Sequence, residues 1–165
     1  GCALAGKSTL NRLEQTPQGE QDRYRRMSYD SRKLDRLLVD LFLESYDHPP
    51  RQIILDLDAT DDPVHGTQEG RFFHGYYGHY CFLPLYVFCG EHLLLARLRP
   101  SNIDASAGTV KELAPIIDQI WRRWPKTQIV LRADSGFARE ETMAWCEEHG
   151  VDYVFGLAKN SRLSS

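Results

Sequence analysis

The sequence lacks three features that often reveal the class of a protein. No apolar run approaches the roughly 18 residues that a membrane-spanning helix needs. Lys and Arg total 20 against 23 Asp and Glu, a net charge of -3, so no overall basic field favours nucleic acid. The four cysteines include no CxxC pair, and we expect buried free thiols in a reducing compartment. We therefore expect no membrane association and no cysteine-based metal site.

The first 50 residues have a helical pattern. A helix is predicted from about residue 31 to 46, because one apolar stripe at helical spacing carries Leu34, Leu37, Leu38, Leu41 and Phe42. The following DHPP segment ends it, since a residue before proline is pushed out of helical geometry. We therefore expect a small helical N-terminal region at 1–50 and a second domain at 51–165. The ends of the chain suggest a fragment of a longer protein.

The second region alternates strands and helices. Pro84 lies in the second predicted strand, which favours a bulge or an edge position, and Pro115 predicts a kinked or late-starting helix. The order is β-β-β-α-β-α-β, with strands at 53–58, 80–88, 93–98, 128–134 and 151–156 and helices at 110–124 and 140–149. This α/β order, with a mixed sheet, is typical of a ribonuclease-H-like domain, here truncated. It makes the first and fourth strands parallel neighbours.

Asp58 and Asp134 each end one of those two strands. Two carboxylates at one sheet edge can hold divalent ions, and a metal pair about 4 Å apart drives in-line attack on a phosphodiester. Residues 53–100 carry six Asp and Glu against three Lys and Arg, which suits a cation. The alternative for Asp134, which precedes Ser135-Gly136, is a helix N-cap. For Asp58 it is a solvated acidic loop.

The first eight residues match the phosphate-binding loop GxxxxGK[ST], with Lys7 as its lysine. That chemistry needs a strand before the loop and a helix after it. Ser8 as a plain helix N-cap is the simpler interpretation. A nucleotide-binding module using Lys7 stays an alternative.

Three further patterns are weaker. His65, His74 and His79 fit no standard zinc spacing, so solvated or hydrogen-bonding histidines are expected. The aromatic residues between 72 and 80 could stack on bases, but core packing with one or two exposed rings is the default. The basic residues between 23 and 36 suit either a DNA backbone or an ordinary charged helix face.

Three segments resemble DDE transposases of bacterial insertion sequences: LAGKSTLNRLE at 4–14, ILDLDATDD at 54–62 and LRADSGF at 131–137. The resemblance is to insertion-sequence family thirteen-eighty, in the branch with a β-rich insertion before the catalytic glutamate. It implies that Asp58 and Asp134 are catalytic ligands of Mg²⁺ or Mn²⁺. It also implies cleavage of transposon ends, strand transfer to target DNA, double-stranded DNA partners, a homo-oligomer of the full-length protein and a bacterial cytoplasmic, nucleoid-associated location.

The family's third acidic residue, a glutamate on a later helix, has no counterpart before Ser165. Glu69, Glu140 and Glu141 lie too close in sequence to the two aspartates to replace it. We therefore expect residues 1–165 alone to be inactive in DNA cleavage. The remaining alternatives are a ribonuclease-H-like nuclease without strand transfer and a non-catalytic DNA-binding remnant.

Overall fold

The computed structural model describes residues 30–158. One compact unit begins at Asp35 and contains every described strand and helix except the first turn of the first helix. The elements in chain order are α1 (Ser31–Glu44), β1 (Gln52–Ala59), β2 (Asp62–Pro63), β3 (Phe72–His74), β4 (His79–Phe82), β5 (Leu85–Cys89), β6 (His92–Arg97), α2 (Thr109–Arg123), β7 (Gln128–Ala133), α3 (Glu140–His149) and β8 (Asp152–Phe155). Within this part of the chain, no helix is long and apolar enough to cross a membrane.

Five strands form the main sheet, in the order β6-β5-β1-β7-β8. β1 is antiparallel to β5, and β5 is antiparallel to β6. β7 and β8 each follow a helix. β7 is parallel to β1, and β8 is parallel to β7. The prediction of an α/β, ribonuclease-H-like mixed sheet is confirmed. The predicted first and fourth strands, which are β1 and β7 here, are neighbours in it.

The core lies on one face of the main sheet. Alternate residues of β1 (Ile53, Leu55 and Leu57) are buried, while the residues between them are exposed or half-buried. Their partners come from the apolar side of α2, which buries Leu113, Ile116, Ile117 and Ile120. The strand period of two and the helix period of 3.6 together direct these side chains into one core. α2 starts at Thr109 and continues through Pro115, so a late start is excluded.

Helix α1 packs on this core with a different face from the one predicted. Val39, Phe42 and Leu43 are buried, whereas Leu37 and Leu41 are about half exposed. The sequence from 37 to 43 is apolar at six of seven positions, so two overlapping stripes fit the helical period equally well. Which stripe is buried depends on the tertiary partners and not on the periodicity.

The prediction of one strand at 80–88 is wrong, because this segment contains two strands that belong to different sheets. β4 ends at Phe82 and joins β2 and β3 in a small sheet with the order β2-β4-β3, while β5 begins at Leu85 in the main sheet. Pro84 stands between them and has no N–H for a ladder. The backbone N–H of Leu83 donates instead to the Arg99 carbonyl at 2.9 Å. The small sheet therefore forms an insertion between β1 and β5.

Candidate active site

Asp58 and Asp134 lie at equivalent positions of two neighbouring parallel strands. The β1–β7 register runs from Gln52 opposite Gln128 to Asp56 opposite Arg132. Both aspartates follow the last of these pairs by two residues, so continuation of the register beyond the end of β7 would put them opposite each other. Because residues two apart along a strand share a face, both side chains leave the sheet on the face of Asp56 and Arg132, away from the core. Both are exposed.

The carboxylate of Asp134 is oriented by the turn that follows it. Its Oδ1 accepts a hydrogen bond from the Gly136 N–H at 2.8 Å, and Asp134 is the N-cap of a short 3₁₀ helix, Ser135–Phe137. The capping interpretation of Asp134 is therefore correct, but it occupies only one carboxylate oxygen. A Cβ at position 136 would lie 3.0 Å from Oδ1, so a larger residue there would have to displace the carboxylate. The cap therefore holds the Asp134 carboxylate in one orientation.

A second glycine approaches the backbone of the same aspartate. A Cβ on Gly156, just beyond β8, would lie 3.2 Å from the Ser135 nitrogen and 3.5 Å from the Asp134 Cα. The Gly156 N–H donates to the Ala133 carbonyl at 3.0 Å. The end of β8 therefore packs directly against the end of β7.

Asp56 and Arg132 form an ion pair across β1 and β7, one step inward from the two aspartates on the same face. The guanidinium donates through both Nε and Nη2, the latter at 2.9 Å from Oδ2. This hydrogen bonding, with the negative charge of Asp56, raises the pKa of Arg132. The pair engages Asp56 and links the two strands where they present Asp58 and Asp134.

The small sheet brings a tyrosine towards the aspartates. Burial raises the pKa of the Tyr77 phenol, and the charges of Asp61, Tyr76, Asp134 and Asp58 add to this shift. The sequence analysis considers Tyr77 only as one of the aromatic residues between 72 and 80 that could stack on bases. The neighbouring Gly78 has a φ of 74° in the turn between β3 and β4.

Histidines of the small sheet surround that tyrosine. His74 and His79 lie 4.8 Å and 6.1 Å from the Tyr77 ring, centroid to centroid. His79 Nε2 is 2.7 Å from Asp61 Oδ2. The expectation of a hydrogen-bonding histidine is met at His79, and the contact engages Asp61.

Arg99 holds the loop behind the Asp134 turn. It is 7% exposed and donates to the carbonyls of Leu83, Ala105 and Ala107 at 3.0, 3.0 and 2.9 Å, while burial lowers its pKa. Ala105 Cβ lies 3.4 Å from the position that a Cβ on Gly136 would occupy. The Arg99 contacts therefore join the segment between β4 and β5 to the loop on which the Asp134 turn packs.

The family model for the transposase DDE domain, group 1, matches residues 1–165. The chain belongs to this DDE transposase family. No curated protein matches the chain in sequence.

Several solved structures of transposases share partial similarity with this DDE transposase chain. The catalytic domain of Mos1 mariner transposase is 11% identical, with a TM-score of 0.43 over 84% of this chain and 66% of that one. A piggyBac transposase synaptic complex with hairpin DNA is 13% identical, with a TM-score of 0.43 over 81% of this chain and 29% of that one. The Mos1 strand transfer complex is 13% identical, with a TM-score of 0.41 over 94% and 51%. The chain thus spans less than two thirds of each of these proteins.

The donor set of this DDE domain fits a hard divalent cation. Asp58 and Asp134 offer carboxylate oxygens, which Mg²⁺ and Mn²⁺ prefer. Between residues 30 and 158, no three His, Cys, Asp or Glu side chains are grouped closely enough to hold a metal ion. Glu69, Glu140 and Glu141 therefore do not join the pair in the structure. Two carboxylates would supply only part of the coordination shell of such an ion.

Two sequence-based predictions lie wholly or mainly outside the described residues. The phosphate-loop match with Lys7 falls within residues 1–29, as do Arg23, Arg25 and Arg26 of the basic concentration. Of the cysteines, Cys81, Cys89 and Cys146 are buried free thiols, as predicted.

Proposed function

We propose that this chain belongs to a bacterial insertion-sequence transposase of family thirteen-eighty, which cleaves transposon ends and joins them to target DNA. One observation carries the proposal. Asp58 and Asp134 each follow the last register pair of β1 and β7, two parallel strands of a DDE-family domain, by two residues. The family membership supports the general chemistry, and the register supports the choice of these two residues.

Asp58 and Asp134 would hold Mg²⁺ or Mn²⁺ at this edge. A bound ion supplies positive charge that activates a water or a 3′-hydroxyl for in-line attack and stabilises the leaving oxygen. The Gly136 N–H fixes one oxygen of Asp134 and leaves Oδ2 for the ion. Arg132 neutralises Asp56, which limits the repulsion that this extra carboxylate would otherwise exert on a phosphate.

Further oxygen ligands must complete a two-metal site, since two carboxylates hold an ion only loosely. The resemblance assigns one of them to a glutamate on a later helix. We accordingly expect residues 1–165 to bind Mn²⁺ weakly and to cleave DNA little. The same proposal includes a helical N-terminal region at 1–50, DNA ends and target DNA as partners, a homo-oligomer of the whole protein and a cytoplasmic, nucleoid-associated location.

Cleavage by the full-length protein tests this function. With transposon-end duplexes and Mn²⁺, Asp58→Asn and Asp134→Asn should each abolish nicking while DNA binding persists. Asp118→Asn is the matched control, because Asp118 is an exposed aspartate on α2. Full activity in either of the first two variants would mean that the aspartates are only structural.

The same assay separates the alternatives. Joining of cleaved ends to a target plasmid distinguishes a transposase from a nuclease that only cuts. ATP-dependent thermal stabilisation that Lys7→Ala removes would instead support the nucleotide-binding module. DNA binding without any cleavage by the full-length protein would identify a non-catalytic remnant.

A further inference from the structure

The small sheet exposes an aromatic face. Phe73 and Tyr80 are opposite each other in the β3–β4 register, with ring centroids 5.6 Å apart, and are 58% and 48% exposed. The Arg71 guanidinium lies 4.3 Å from the centroid of the Tyr80 ring. Tyr76, at the tip of the hairpin, is 88% exposed. Together these four residues form the aromatic hairpin surface.

Core packing does not account for these rings. The small sheet has only three short strands, and its fully buried side chain, Cys81, points to the opposite face from Tyr80. The default expectation of core packing with one or two exposed rings is therefore wrong. Single exposed apolar residues are ordinary, but several adjacent aromatic rings commonly mark a binding surface.

The surface begins beside the candidate site. Tyr76 contacts Tyr77 edge-on, with centroids 5.1 Å apart. The Tyr77 ring in turn lies 6.1 Å from the His79 ring, centroid to centroid, and His79 Nε2 is 2.7 Å from Oδ2 of Asp61, three residues after Asp58. β2 also starts only a few residues after Asp58, so the insertion leaves the main sheet at the site itself. A DNA strand with its phosphate at the aspartates therefore passes close to Tyr76.

The charges of the surface suit bases rather than phosphates. A groove that follows a phosphate backbone carries several Lys or Arg residues, whereas this surface has Arg71, held over Tyr80. Asp62 and Glu69, both exposed in the same insertion, repel phosphates. Aromatic rings stack on any nucleotide base because every base has a π face.

We propose that the aromatic hairpin surface stacks unpaired bases of the DNA strand next to the phosphate held at Asp58 and Asp134. This inference rests on the proposed transposase function. Duplex DNA keeps its bases stacked on one another, so the surface selects a strand that is single or locally opened. Tyr76 takes the base nearest the phosphate, and Phe73 and Tyr80 take its neighbours.

The test measures binding without cleavage. Full-length protein in Ca²⁺ is titrated with a transposon end that carries an unpaired 3′ extension containing 2-aminopurine, and with the fully paired duplex. Stacking quenches the 2-aminopurine fluorescence. Tyr76→Ala and Phe73→Ala should each weaken binding of the extended DNA by about 5- to 150-fold and abolish quenching, with duplex binding unchanged. Tyr76→Phe should behave as the parent protein.

The controls separate this proposal from the function on which it rests. Leu41→Ala removes a half-exposed apolar side chain on α1. It should leave the affinity for the extended DNA and the affinity for the paired duplex unchanged. Asp58→Asn should lose cleavage in Mn²⁺ yet keep the quenching. Parent-like binding and quenching by Tyr76→Ala and Phe73→Ala, in a protein whose cleavage depends on Asp58, would overturn the stacking proposal alone. A changed oligomeric state in those variants, with DNA binding intact, would overturn it in favour of a protein interface.

Discussion

Replacing Arg99 by methionine tests how the Asp134 turn is supported. Methionine keeps most of the side-chain volume and removes the guanidinium, which donates to three carbonyls, of Leu83, Ala105 and Ala107. Hydrogen bonds from charged donors contribute about 1.5–3 kcal/mol each, but the burial of Arg99 offsets part of their sum. The substitution leaves these carbonyls without their donor, and an unsatisfied buried acceptor costs about 1–3 kcal/mol, so we expect the free energy of unfolding to fall by about 3 kcal/mol.

Urea unfolding followed by tryptophan fluorescence measures this decrease. Arg51→Met is the matched control, because the Arg51 side chain is exposed, and it should change the free energy of unfolding by under about 0.5 kcal/mol. Arg99→Lys should fall between the two, since an ammonium group cannot reach three carbonyls in a planar fork. A decrease below about 1 kcal/mol for Arg99→Met would refute the assignment of Arg99 as the anchor of this loop.

Three further predictions concern separate parts of the molecule. Hydrogen bonds from Ser106, and then Arg139, lower the pKa of Asp104 to about 2. The stability that this carboxylate contributes is present above its unfolded pKa near 4 and is lost as the pH falls towards 2. Asp104→Asn should therefore make the melting temperature decline less steeply between pH 4 and pH 2. An unchanged decline would exclude this linkage. Gly156→Ala places a Cβ against the backbone of the Asp134 turn. It should reduce cleavage by the full-length protein roughly tenfold with little loss of DNA binding, because the carboxylate is displaced. Full activity would show that the turn accommodates a Cβ. Burial raises the pKa of both Cys89 and Cys146 to about 11, so iodoacetamide at about pH 8 should modify them only after unfolding, and rapid modification of the native protein, seen by peptide mass, would contradict their burial.

Local pattern is enough to predict the parts of the fold that place the two aspartates. The β-strand ends at Asp58 and Asp134 follow from short apolar runs, and their adjacency follows from the strand order and the helical connections. The sequence predicts a helix from 140 to 149, and α3 has these bounds in the structure, followed by Gly150 at a φ of 69°. In each case a local sequence pattern is compatible with only one type of secondary structure.

The features that sequence does not reveal depend on contacts between distant segments. The run at 80–88 is apolar throughout. Pro84 marks an irregularity in it, but nothing in the run tells that the residues before and after Pro84 join different sheets, or that the Leu83 N–H donates to the Arg99 carbonyl. Which of the two apolar stripes of α1 is buried likewise depends on its contacts with the core. Tyr77 and Arg99 reach the site region across 57 and 35 residues from Asp134, and no local period encodes such contacts.

The aspartate site itself is only partly predictable. The sequence allows Asp134 to be a cap or a ligand, and the structure shows that the cap uses one of its two carboxylate oxygens. The pairing of Asp56 with Arg132 was not predicted, although both residues precede a candidate ligand by two positions. A cross-strand pair requires the register, which only the three-dimensional structure supplies.

The dissociation constant for Mn²⁺, measured by calorimetry on this chain and on three variants, tests the central claim most directly. If Asp58 and Asp134 hold the same ion, Asp58→Asn and Asp134→Asn should each weaken binding about tenfold or more. The double variant should then be scarcely weaker than either single one, because removal of one ligand already removes most of the shared site. Parent-like affinity in either single variant, or strictly additive losses in the double variant, would contradict a shared metal at the ends of β1 and β7.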